Sequence, residues 1–203
     1  MAKTTKVRTG VEGLYYAKIL TDDDTSGLTY EAPVAIPGLI TMNVNPNTNS
    51  ATLYADNKAA VTYSSVGTIE VEIELDYLAD EVIGVLTGRE IDGATHFVTN
   101  INSAPYVGIM YKQTYDDGSE SYVRLMKGKF KEPSHNSETQ NDSVNFQTGT
   151  IMAEFIATSS KLTIGSSEKS VLMASIDTGN DNFVDLGTNN WFDALYPIPV
   201  PSV

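Results

Sequence analysis

Hydrophobic and polar positions alternate without a slip over residues 68–76. Ile69, Val71, Ile73 and Leu75 fall on one side of a period-two strand, and Glu70, Glu72 and Glu74 on the other. One face therefore calls for a core and the other for water or a partner. Similar runs bounded by Gly, Pro, Asn and Asp cover 14–20, 33–45, 95–100, 106–115, 121–130 and 144–158, with a shorter one at 171–176, so the pattern predicts a mainly β chain. Asp117-Gly118 between two of these runs predicts a tight type I′ hairpin turn. Over 45–67 the pattern lapses into Asn-Pro-Asn-Thr-Asn-Ser and then Leu53-Tyr54-Ala55-Asp56-Asn57, which reads as a long polar connection. One helix is expected over 77–87: Asp76 is placed to cap it, Leu78, Val82, Val85 and Leu86 repeat at helical spacing, and Gly88 ends it.

The chain has 203 residues, 41% of them hydrophobic, enough for one core of respectable size. The expected division is a β-domain over 1–160 and a C-terminal extension over 161–203. In the extension Pro197, Pro199 and Pro201 favour an extended path, and Trp191 and Phe192 call for a surface of this or a neighbouring subunit. Twenty-six acidic against 13 basic residues give a formal charge of -13, which opposes adhesion to nucleic acid or an anionic membrane. The absence of cysteine removes disulfides, thiolate nucleophiles and Cys-ligated metals. No apolar run approaches the roughly 20 residues of a membrane span, and no apolar segment follows the basic N-terminus, so the chain is expected to stay in the cytoplasm where it is made.

Candidate chemistry is sparse. Asp22-Asp-Asp24-Thr-Ser26-Gly27 imitates the first half of a calcium loop, but Pro33 stands where the bidentate Glu is required, and an Asp/Gly turn explains it. His96 and His135 lie far apart, in no ligand-spaced motif. The three glutamates sit about 6.6 Å apart at i, i+2, a spacing compatible with glycosidase carboxylates but met by any acidic strand. Parity extends their face: Thr41 and Asn43 oppose Ile40, Met42 and Val44, and Thr150 and Glu154 oppose Ile151, Ala153 and Phe155. Lys127, Lys129 and Lys131 alternate on another strand and can pair with acidic strands across a sheet or subunit boundary, or can simply solvate an edge.

Four stretches in this order resemble the major tail proteins, the tail tube subunits of bacteriophages with long non-contractile tails. They are Tyr30-Glu-Ala-Pro-Val-Ala-Ile-Pro-Gly38, Leu53-Tyr-Ala-Asp-Asn57, the acidic strand running into Asp76-Tyr-Leu-Ala-Asp-Glu-Val-Ile-Gly-Val-Leu86, and Asn190-Trp-Phe-Asp-Ala-Leu-Tyr196. The run from Ser143 to Ile156 is similar to the family's late strand. The resemblance implies a structural virion protein and no enzyme: a mainly β, β-sandwich or barrel-like body of two packed sheets with one flanking α-helix, six copies of which close into a ring, with stacked rings forming a hollow tube through which DNA leaves without specific binding. It implies no cofactor, metal or membrane. Its implied partners are further copies of the chain, a tape-measure protein, and terminator and distal tail proteins, assembled in the host cytoplasm. On that reading Glu70, Glu72, Glu74, Thr41, Asn43, Thr150 and Glu154 line the lumen. Tyr54, Asp56, Asn57, Lys127, Lys129, Lys131, Trp191 and Phe192 then contact neighbouring subunits or rings. The alternatives are a β-sandwich module binding carbohydrate or protein, and a carboxylate hydrolase.

Overall fold

Alternating β-branched and aromatic residues fit a pleated surface buried on one side, and where they recur the chain forms long strands. The protein, described from a computed structural model, is defined over residues 6–55, 58–99, 103–134, 148–164 and 166–180. In chain order its elements are β1 (Arg8–Asp23), β2 (Gly27–Tyr30), β3 (Val34–Ile36), β4 (Leu39–Ala55), β5 (Lys58–Leu75), α1 (Asp80–Thr87), β6 (Glu90–Asp92), β7 (Thr95–Phe97), β8 (Val107–Tyr115), β9 (Glu120–Phe130), β10 (Gly149–Ile156), β11 (Leu162–Ile164), β12 (Ser167–Lys169) and β13 (Met173–Asp177). Among the described residues the fold is mainly β, as the alternation predicts, with one helix.

Nine strands form one antiparallel sheet in the order β2-β1-β8-β9-β10-β5-β4, with β3 added to β1 and β13 to β9. One edge of β9 runs along β8, while the other is shared between β13 at 121–125 and β10 at 127–130. The sheet therefore divides at β9 and curls into two facing layers, β1, β8, β9 and β13 in one and β10, β5 and β4 in the other. Between them lies the core: Leu14 and Tyr16 of β1, Ile69, Val71, Ile73 and Leu75 of β5, Ile109 of β8, Leu125 of β9, Ile151 and Phe155 of β10, and Leu86 of α1. A second cluster of Leu28, Met126, Leu162 and Val171 fastens the start of the C-terminal extension to the body, and β13 then joins the main sheet. This part of 161–203 packs on its own chain. Trp191, Phe192 and the proline-rich end lie outside the described residues, as does His135.

Three expectations need correction. Residues 45–55 and 58–67 are no loop: they are the distal half of a hairpin of two strands, 17 and 18 residues long. Ser, Thr and Asn pair across it, with Asn47 Nδ2 3.2 Å from Thr68 Oγ1 and the hydroxyls of Thr52 and Thr62 3.3 Å apart. Pro46, which lacks an N–H, is accommodated because β4 is the last strand of the sheet among the described residues and one of its edges is free.

The helix begins at Asp80 with Ala79 as its N-cap, not Asp76. Asp76 instead closes the base of the β4–β5 hairpin: its N–H donates to the Gly38 carbonyl at 2.8 Å, and its carboxylate fills the space a Cβ on Gly38 would need. Gly88 ends α1 in the left-handed region (φ 72°), as expected. The Asp117-Gly118 turn is a three-residue loop: Gly118 N–H donates to the Tyr115 carbonyl, Tyr115 N–H to the Ser119 carbonyl, and Gly118 supplies the positive φ of 79°.

Candidate functional site: an acidic face and a projecting hairpin

Strand β5 lies between β4 and β10, so each of its outward side chains has a neighbour on both sides. The register stacks three rungs: Thr41, Glu74 and Thr150; Asn43, Glu72 and Met152; Asn45, Glu70 and Glu154. The structure thus brings together all seven residues that parity assigns to one face, with Met152 among them, and places them opposite the buried Ile69, Val71, Ile73 and Leu75. Glu74 accepts hydrogen bonds from Thr148 Oγ1 at 2.6 Å and Thr41 Oγ1 at 3.2 Å. Among the described residues, Glu70 and Glu72 have no hydrogen-bond or ion-pair partner.

Glu70 and Glu154 stand directly opposite each other, an arrangement of like charges that costs stability on a sheet. The next strand relieves it. Lys129 is the cross-strand partner of Glu154 on β9, and Lys131 Nζ lies 3.7 Å from the Glu154 carboxylate. The acidic face is therefore bordered by two lysines along the β9 side.

Lys127, expected at a subunit boundary, is buried. Its Nζ lies 2.5 Å from Asp22 and 3.0 Å from Ser159 Oγ, and 4.7 Å from the Tyr106 ring, over which Lys129 also sits at 4.5 Å. Burial would raise the Asp22 pKa, but hydrogen bonds from Lys127, from the Ser160 and Ser159 N–H groups and from the Ser160 hydroxyl outweigh it and hold the carboxyl well below the usual range. In the same calcium-like stretch Asp23 accepts hydrogen bonds from Thr25 and Ser26 N–H groups, as a turn residue does. Both carboxylates are thus taken up by the fold.

The second feature is the distal hairpin. Every residue from 45 to 54 is exposed, and from Asn47 to Ala55 the strand spans roughly 30 Å. The pairing skips Gly67, Asn47 opposing Thr68 and Thr48 opposing Val66, so beyond that point odd-numbered residues of β5 take over the face that even-numbered ones hold below it. The face that carries the glutamates in the body continues into Ala51, Leu53, Val61 and Tyr63, while the face that carries Met42 and Val44 continues into Thr48, Ser50 and Thr52. Outside the body the glutamate side carries Leu53, Val61 and Tyr63 beside Asn49 and Ser65, while the other side is mostly Ser and Thr with Val66 and Tyr54. Leu53, Val61 and Tyr63 are 65%, 59% and 69% exposed, and Tyr54 on the other side is 69% exposed. Asp56 and Asn57 lie outside the described residues.

Two cavities stand out, and neither is lined by Glu70, Glu72 or Glu74. The larger, about 460 Å³, opens between the two layers and is lined by Met42, Val44 and Pro46 of β4 on one side and by residues of β8, β9 and β13 on the other. The smaller, about 220 Å³, lies beside the start of α1. Among the described residues no cluster of His, Asp and Glu is gathered to hold a metal, and no helix is long and apolar enough to cross a membrane. Neither family models nor curated proteins give a match to this chain.

Proposed function

We propose that the chain is a structural subunit that polymerises with copies of itself into a hollow tube, the role of the major tail protein in phages with long non-contractile tails. The observation that carries this reading is the projecting hairpin, whose apolar side is turned away from its own core. A lone two-stranded ribbon is marginal in water, and an exposed apolar stripe on it calls for cover by another surface. In a stack of rings each hairpin reaches a neighbour and finds that cover.

The acidic face supports the same reading from a second direction. Four carboxylates with threonine and asparagine between them form a surface that DNA phosphates avoid within about 8 Å at physiological ionic strength, and sixfold repetition makes of it a continuous wall. The lysines at its β9 border moderate the repulsion and leave the middle of the face acidic.

Negative-stain microscopy of the purified protein at rising concentration tests the proposal. Rings and hollow tubes about ten nanometres wide are expected from six 22.0 kDa bodies around a channel. A chain that remains monomeric at every concentration overturns it.

A further inference from the structure

The geometry points to a receptor for the hairpin: the cleft between the two layers of a second copy of this chain, so that subunits join head to tail. This inference rests on the self-assembly reading and specifies its contact. The cleft has the right chemistry for the hairpin's exposed stripe. Met42 and Val44 from β4 and Met173 from β13 offer apolar walls to Leu53 and Val61, and Gln113, Ser121 and Ser175 offer polar atoms to the hydroxyl of Tyr63, which needs a partner once buried. At about 460 Å³ the cleft has room for a few such side chains.

Charge selects the partner. The whole chain carries -13, so two bodies repel, whereas residues 45–67 hold one acidic and one basic residue, Asp56 and Lys58, and are neutral. The hairpin is the part of the chain that approaches a second copy without that cost. At the cleft itself Arg8 and Asp177 are of opposite sign. Among the described residues strand β13 bonds to β9 alone and β4 to β5 alone, so both strands bordering the cleft present a free edge to an incoming ribbon.

Distance sets the repeat. Leu53 is nine residues beyond Val44, which lines the cleft of its own chain, so the tip lies roughly 30 Å farther along the strand. A neighbour displaced by about that distance presents its cleft to the tip. Because tip and cleft are different surfaces, the contact is heterologous and propagates from copy to copy, where a tip-to-tip contact would stop at a dimer.

The cysteine-free sequence permits a direct test with Leu53→Cys at the tip and Met173→Cys at the cleft, both at exposed positions. Under mild oxidation the doubly substituted chain is expected to give a ladder of disulfide-linked multimers. An equimolar mixture of the two single variants is expected to give one dimer band containing one of each. Efficient homodimers of Leu53→Cys alone, or tubes visible by microscopy without any disulfide joining positions 53 and 173, overturn the cleft contact and leave self-assembly standing. A chain that neither cross-links nor forms oligomers overturns both.

Discussion

Removing the apolar stripe of the hairpin should separate assembly from folding. Leu53, Val61 and Tyr63 are 65%, 59% and 69% exposed in the single chain, so the greater part of each side chain is still available for burial. Complete burial of such a side chain contributes roughly 1.5–3 kcal/mol, so about 1–2 kcal/mol apiece remains to be gained at a contact. Changing all three to Ser should weaken each subunit contact by about 3–6 kcal/mol, on the order of a hundredfold to ten-thousandfold in association. The fold should hardly register the change, because exposed substitutions of this kind stay within about 0.5 kcal/mol. The assay is the protein concentration at which pelletable polymer appears, measured beside thermal melts followed by circular dichroism. The matched control, Thr52→Ser with Thr62→Ser on the opposite side of the ribbon, should assemble almost as the parent does. An unchanged assembly threshold in the triple variant, with an unchanged melt, would refute the reasoning.

Other substitutions test the body. Asp22→Ala leaves Lys127 buried without its carboxylate, and should cost about 3–5 kcal/mol, lowering the melting midpoint by on the order of 10 °C. Because the folded-state pKa of Asp22 is depressed, its contribution is present above its unfolded value near 4 and is lost as pH falls from there. Asp22→Asn should therefore flatten the decline of stability below about pH 4 in acid titrations. Gly88→Ala must hold a left-handed φ of 72° and drive a Cβ into the Ser103 carbonyl, so denaturant melts should show a loss of about 1–2 kcal/mol or more. Converting Glu70, Glu72 and Glu74 together to Gln should leave stability within about 0.5 kcal/mol while assembled tubes begin to retain DNA at low salt. Unaltered DNA retention and passage would remove the repelling wall from the proposal.

The parts of the fold that could be read from sequence are those where one face is buried. Ile69, Val71, Ile73 and Leu75 announce β5, and the runs at 106–115 and 121–130 fall within a residue of β8 and β9, because burial on one side forces period two. The same parity found the seven residues of the acidic face. It failed beyond Asn45, where neither side of the ribbon meets the body, asparagines and Pro46 imitate a loop, and the skip at Gly67 breaks the alternation. The run at 95–100 covers β7, but its partner β6 and the β11–β12 pair were illegible for a related reason, being too brief to show a period. The helix start was misplaced because Asp76 serves a tertiary role against Gly38 that outweighs its capping propensity. The fate of Lys127 was hidden altogether: its partner Asp22 is 105 positions away, and local pattern carries no record of such a pairing.

The placement of β13 has a consequence for the order in which the chain folds. The β4–β5 hairpin joins residues close in sequence and can form within microseconds. Closure of the layer of β1, β8, β9 and β13 must await Met173–Asp177 against β9, and the tie of Lys6 to Asp177 links residues 171 positions apart. Contacts so distant slow folding toward milliseconds or longer, so during synthesis the β4–β5 hairpin can begin to pair before the cleft between the layers is complete. Under the proposed hairpin–cleft contact, each new chain would acquire its means of attachment before it could serve as a site of attachment. A nascent chain would then be captured by a completed one, and two nascent chains would not capture each other.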